Sequence, residues 1–203
     1  EAWVVFDNMR FLEAGACVEV EEQIGEEGQV DSEVDIEDDP IGQDLGPGVV
    51  ELITGQEFPA LMNTMKSGAY CRIEFEVDTK ERSELSPQSP LELGDASVFI
   101  RGRTPTGVEF EIVSALGAEF TLDAEIELAP GDDAFLIGFA LNDWFSAEYF
   151  VEAKGDPLVI NNEENTSLLE TFEDAFGESA ALYRDANGDG VLGADEATLK
   201  LGE

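Results

Sequence analysis

The chain contains no histidine, and only 10 of its 203 residues are lysine or arginine. The first absence removes the commonest general base near neutral pH and the commonest zinc or copper ligand. The second argues against nucleic acid and anionic membranes as partners, because both are held by clustered bases that neutralise phosphate. No apolar run of about 18 residues occurs, so no membrane-spanning segment is expected. Cysteine is reduced to Cys17 and Cys71. That even count permits one disulfide in an oxidising compartment, and two buried thiols are the alternative. A bond between them would close a loop of about 55 residues, for which chain entropy predicts about 4 kcal/mol. Glu1 is not followed by a basic region and an apolar stretch. The expectation is a mature or trimmed product, secreted or held at a bacterial outer surface or periplasm, with its export signal removed.

These gaps also thin out catalysis. Without histidine there is no Ser-His or Cys-His pair, and neither a G-x-S-x-G elbow nor a phosphate-cradling glycine loop occurs. A carboxylate-based glycoside hydrolase needs only two acids. Among 47 Asp and Glu a close pair arises by chance and no particular pair stands out. The chain is therefore read as a non-enzyme.

What is abundant is carboxylate oxygen, the ligand of hard cations such as calcium. The formal net charge is −37, yet 43% of residues are apolar and 13 are phenylalanine, enough for a folded core. The stretch from Glu19 to Asp44 holds twelve acids and no base. Within it Val30, Ser32, Val34 and Ile36 alternate with Asp31, Glu33, Asp35 and Glu37, the pattern of a strand with one wet face. A solvated edge is preferred there over a cation-gathering ladder.

Strand signals fill the first two-thirds: Trp3 to Leu12, Cys17 to Val20, Gly48 to Ile53, Tyr70 to Val77, Val98 to Arg103, Val108 to Val113, Phe120 to Leu128 and Ala134 to Leu141. Thr104-Pro105-Thr106-Gly107 reads as a hairpin turn and Thr79 to Asp95 as an exposed loop. Ala134 to Leu141, apolar on both faces, reads as a central strand. About eight or nine strands without interleaved long helices predict an antiparallel β-sandwich over residues 1–141. Residues 142–203 are expected to form a helical appendage packed on it. Trp144, Phe145, Tyr149 and Phe150 would plug one end of the sandwich, behind a cap at Asn142 or Asp143. Leu168, Leu169, Phe172, Ala175 and Phe176 mark a helix with Ser167 and Glu170 as a capping box, ending at Gly177. A further helical turn is expected from Glu178 to Tyr183, and another helix from Ala194 to Leu199.

Between those last two segments the chain reads Asp185-Ala-Asn187-Gly-Asp189-Gly190-Val191-Leu192-Gly193-Ala-Asp195-Glu196. It matches D-x-[DN]-x-[DN]-G-x5-E at every specified position and resembles an EF-hand calcium loop. The resemblance implies that Asp185, Asn187 and Asp189 converge on one Ca2+. Val191 would offer its carbonyl, Gly193 a water, and Glu196 both carboxylate oxygens, with Gly190 at the sharp bend. Only one such loop is present, so a structural clamp is expected in place of a paired calcium switch.

The remainder resembles exported bacterial β-sandwich surface proteins and lipoproteins. The likeness rests on Ser67-Gly-Ala-Tyr70-Cys71-Arg72-Ile73-Glu74-Phe75 after a Leu52-Ile-Thr54-Gly55 turn, and on Asn142-Asp-Trp144-Phe145. It implies a calcium-stabilised surface protein with a structural, adhesion or assembly role, self-associating or meeting another surface protein. A carbohydrate- or other ligand-binding module is the alternative, with Trp3, Tyr70, Trp144 and Tyr149 as candidate contacts. Copper-binding relatives of such proteins use histidine, which is missing here, so their activity does not transfer. A surface this acidic repels itself unless salt screens it. Thermal midpoints measured from about 0.05 to 1 M NaCl should therefore rise with ionic strength; a flat or falling series would contradict the charge argument.

Overall fold

A computed structural model of the chain describes residues 1–15, 17, 48–53, 56–58, 67–128, 134–145, 149–151, 153–186, 192–193, 195 and 198–202. The acidic stretch, including the alternation over residues 30–37, lies outside the described residues. The structure is mainly β. Its strands are β1 (Ala2–Glu13), β2 (Gly48–Glu51), β3 (Gln56–Phe58), β4 (Gly68–Val77), β5 (Val98–Arg103), β6 (Glu109–Ser114), β7 (Ala118–Leu128), β8 (Ala134–Phe139), β9 (Leu158–Ile160), β10 (Ala180–Asp185) and β11 (Lys200–Gly202). Two helices, α1 (Leu141–Trp144) and α2 (Thr166–Gly177), stand among the later strands.

Strand β1 organises the larger sheet. One edge pairs with β2 from Trp3 to Phe6, while the other pairs with β5 from Ala2 to Val4 and then with β4 from Phe6 onward. At the hand-over the Val5 amide donates to the Ser97 carbonyl at 2.8 Å. Register shifts after Asp7 and Leu12 bend the strand further, as bulges do. Because β4 continues to β7 while β5 continues to β6 and β9, the eight-stranded sheet curls as a half-barrel. Two flat facing sheets are not what the described strands form.

Alternation fixes which side chains enter this curl. Ile73, Phe75 and Val77 of β4 and Phe120, Leu122, Ala124 and Ile126 of β7 are buried, and Thr121, Asp123 and Glu125 between the β7 positions face water. The N-terminal half of β1 is buried on both sides. Ala2, Val4 and Phe6 join the main core, whereas Trp3 and Val5 join a second cluster with Val49, Leu85, Leu93 and Phe99. Leu85 and Leu93 belong to the segment expected to be an exposed loop. They are apolar lids held by a short 3-10 turn, Leu91–Gly94, and by Arg82, which donates to Ser89 and to the Pro90 carbonyl.

Four further expectations are corrected. Where a helical turn was predicted over Glu178–Tyr183, strand β10 begins at Ala180. Ala180, Ala181 and Leu182 suit either conformation, and the ladder to β8 from Ala180↔Phe139 to Asp185↔Ala134 decides it, a tertiary override of local propensity. This ladder makes β10 the centre of a three-stranded sheet, β11-β10-β8, and puts β8 at its edge. The larger sheet is also not wholly antiparallel, since the short β9 after the Asp156-Pro157 cis peptide runs parallel to β6. Helix α2 starts one residue before Ser167. Asn165 stands at its N-cap with left-handed backbone, so the Ser167–Glu170 capping box does not form. The Asn165 amide nitrogen instead donates to Val159 and Lys154 carbonyls, tying the helix start to β9.

Aromatic rings join the two sheets and the helix into one core. Phe75 stacks on Phe120 at 4.7 Å, Phe139 of β8 stacks on Phe176 of α2 at 5.2 Å, and Trp144 lies edge-on to Phe172 at 5.6 Å. The Trp144 indole N–H donates to Ser179 Oγ at 2.8 Å, so its polar edge is satisfied inside. Tyr149 is likewise enclosed, with its hydroxyl donating to the Leu168 carbonyl at 2.7 Å. Burial, with a smaller contribution from the Glu173 carboxylate, pushes that phenol well above its usual value of about 10.

A raised phenol pKa favours the neutral form in the fold, so its stabilisation is complete below about pH 10 and is lost as pH climbs toward the folded-state value. Tyr149→Phe should flatten the fall in thermal midpoint above about pH 10, while lowering stability at pH 8 by about 1 kcal/mol for the missing hydrogen bond. An unchanged alkaline slope would show that Tyr149 is not the responsible group.

Candidate metal centre

Strand β10 delivers the first residue of the candidate calcium loop. Its inward positions, Ala180 and Leu182, belong to the main core, and its last residue, Asp185, is only 1% exposed. Its backbone is held by the Asp185↔Ala134 pairing. Asn187, Asp189, Val191 and Glu196 lie outside the described residues, and among the described residues no three acidic or cysteine side chains gather as a metal-binding group. The test of fit is therefore chemical. Two aspartates, an asparagine, a backbone carbonyl and a glutamate form an all-oxygen donor set, which suits Ca2+ and not a soft metal.

The motif lies in sequence between two strands, β10 and β11. After Asp185 the chain returns through Leu192, Gly193, Asp195 and Thr198 into β11, which lies antiparallel on β10 with Leu182↔Gly202 and Tyr183↔Lys200 in register. The Arg184 amide donates to the Leu199 carbonyl at 3.3 Å at the mouth of this hairpin. Leu192, 37% exposed, leans over Gly138 of β8. A Cβ at Gly138 would lie 2.9 Å from Leu192 Cδ2 and 2.8 Å from the Tyr183 ring, so only glycine admits both neighbours. At the far end, Leu201 packs on the main core, and Gly202 comes so close to Asp123 and Ala124 of β7 that a Cβ there would strike the Asp123 carbonyl oxygen.

The other predicted positions are placed as follows. Cys17 and Cys71 form a disulfide, with Cα atoms 6.4 Å apart. It joins the chain just beyond β1 to the bulged start of β4, where Tyr70 and Arg72 straddle a register shift against β7. Trp3, Tyr70, Trp144 and Tyr149, the rings named for a carbohydrate surface, are all buried. Arg72, Lys80, Arg101 and Arg103 are paired with carboxylates. Lys80 meets the largely buried Asp7 at 2.5 Å, and Arg101 reaches Glu1, Glu92 and Glu111 within 3.2 Å. Hydrogen bonding to those carboxylates, Asp7 for Lys80 and Glu111 for Arg101, is the main cause that raises both bases above their ordinary values. Asn8, left-handed at the β1 bulge, donates to Asp7 and Glu76 and opens a groove lined by Glu74, Glu76, Glu119 and Thr121. No sequence signal marked this groove, because it is created by a register shift.

No protein-family model, curated protein or solved structure matches this chain. The residues alone carry the functional argument.

Cys17 and Cys71 are 54 residues apart, so replacing both with serine should lower unfolding free energy by about 4 kcal/mol on the chain-entropy estimate. Urea unfolding under non-reducing conditions measures this, and a change below about 1 kcal/mol would show that the cross-link is energetically idle.

Proposed function

We propose that this protein is a non-catalytic, calcium-stabilised β protein of the cell exterior, in which the Asp185–Glu196 loop acts as a structural clamp. The observation that carries the reading is the unbroken D-x-N-x-D-G-x5-E run, whose first aspartate is buried at the end of a core strand. Asp185, Asn187, Asp189 and Glu196 would hold the ion through side chains and Val191 through its carbonyl, while the bound ion would offset repulsion among four nearby acids. Strands β10 and β11 flanking the motif support a clamp over a sensor, since among the described residues around it there is no helix pair whose angle could open.

The cell-exterior assignment is supported by the disulfide, which persists in oxidising compartments. A structural, adhesion or assembly role is the function class that fits, with a further copy or another surface protein as partner. The sandwich-like arrangement of exported surface proteins remains the proposed kinship of the half-barrel. A carbohydrate-binding module is less favoured because its four candidate rings lie inside the fold.

Calorimetric titration with CaCl2 should give one site with a dissociation constant on the order of 0.1 to 1 mM. At about 10 mM calcium that affinity corresponds to about 1.4 to 2.7 kcal/mol of stabilisation, or a midpoint about 3 to 10 °C above the chelated protein. Asp185→Ala combined with Glu196→Ala should abolish both effects and leave the half-barrel folded by circular dichroism. No heat of binding together with no shift in midpoint would refute the clamp.

A further inference from the structure

We infer that the outer edge of β8 is a self-association surface, on which β8 of a second copy adds antiparallel and joins the two three-stranded sheets into one. This rests on the assembly role proposed above, gives it a place in the fold, and is independent of the calcium clamp. Its basis is a strand whose composition and position disagree. Ala134–Phe139 contains no polar residue, as suits a strand with neighbours on both sides, yet it ends the order β11-β10-β8. Edge strands are usually guarded by charge, proline or a bulge. β8 has none of these: its ladder to β10 runs without a register shift, and residues 134–142 are the longest stretch of the chain without a charged residue. The Ala140 amide donates to the Ser179 carbonyl, so alternation turns the amides of Leu136 and Gly138 toward β10 and those of Phe135, Ile137 and Phe139 outward. Among the described residues no strand covers these outward amides and no hydrogen bond takes them up. Charge selects the occupant. At a net −37, two copies can meet closely only where no carboxylates oppose one another, and β8 offers nothing to a charged partner. A two-fold axis through Ile137 sets Ile137 against its own equivalent, Phe135 against the second copy's Phe139, and Leu136 against the second copy's Gly138. Every opposed pair is then apolar, and the outward amides of 135, 137 and 139 all fall within the new ladder.

A seam of one strand pair falls below the roughly 1,200 Å2 of stable complexes, so a weak dimer is expected, with a dissociation constant on the order of 10 to 100 µM. Sedimentation of the full chain should show that dimer at about 0.5 M NaCl and about tenfold weaker association at about 0.02 M, where the net charge is unscreened. Leu136 is half-buried and outside the main core cluster. Leu136→Glu places a carboxylate on each side of the seam and should weaken the dimer by about tenfold or more. Ile137→Pro deletes an outward amide and none of the ladder to β10, and should have the same effect. Circular dichroism checks that each variant is folded. Amide exchange of the unaltered protein, read residue by residue by NMR at high salt, supplies a signature that needs no variant. Phe135, Ile137 and Phe139 should be protected in concentrated samples and exposed on dilution, while Leu136 and Gly138 stay protected throughout. A chain that remains monomeric at about 1 mM in both salts overturns the seam and assembly through a second copy together, and leaves the clamp standing. A dimer that either folded variant retains, or one without concentration-dependent protection at those three amides, overturns the β8 seam and leaves the assembly role.

Discussion

The architecture depends on one strand serving two ladders along the same edge. From Ala2 to Val4, β1 is bonded to β5, and from Phe6 onward it is bonded to β4. Everything else is placed by that hand-over. β6 and β9 extend from β5, β7 extends from β4, and the angle between the two branches makes the hollow that Phe172, Phe176 and Trp144 fill. The sequence requirement is that β1 be apolar on both faces at its start and on one face only further along. Val4, Val5 and Phe6 followed by Asp7, Asn8 and Arg10 meet that requirement. Asp7 sits where the change occurs, and Lys80 reaches it from beyond the end of β4, so the one acid forced inward at the branch has a dedicated cation.

The smaller sheet uses the same economy. β10 presents Leu182 to the core and ends on the buried Asp185, so the strand at the centre of this sheet also carries the first residue of the candidate metal site. Its neighbour β11 touches β7 of the larger sheet, and Phe139 of β8 touches Phe75, Phe120 and Phe176. The region around residue 141 is therefore crossed by both a ladder and an aromatic core.

Strands with strict alternation were readable from sequence nearly to the residue. β7 and the latter part of β4 appear where their period-two patterns placed them, and the β5–β6 hairpin turns at Thr104–Gly107 as its turn residues indicated. Elements decided by partners were not readable. Ala180-Ala181-Leu182 has no intrinsic leaning strong enough to resist an open β8 edge, and Leu158-Val159-Ile160 is too short to be recognised without β6 beside it. Curvature was also hidden, because it comes from bulges in β1 whose signature is an extra residue and not a residue type. The disulfide was legible only as a possibility, since spacing cannot show that Cα atoms will come within bonding range. The calcium pattern was fully visible as a motif, but its place between two strands was not.

Arg101 illustrates what a surface with so few bases implies for sequence change. Its guanidinium is shared among Glu1, Glu92 and Glu111 and lies 5.0 Å over the Phe99 ring. Each acid in that group has few alternatives, whereas the base has several. Mutational tolerance should therefore be lopsided: most exposed carboxylates are interchangeable and can drift, while the handful of cations hold fixed addresses. Among the variable positions of such a chain, the scarce residue type marks the constrained sites.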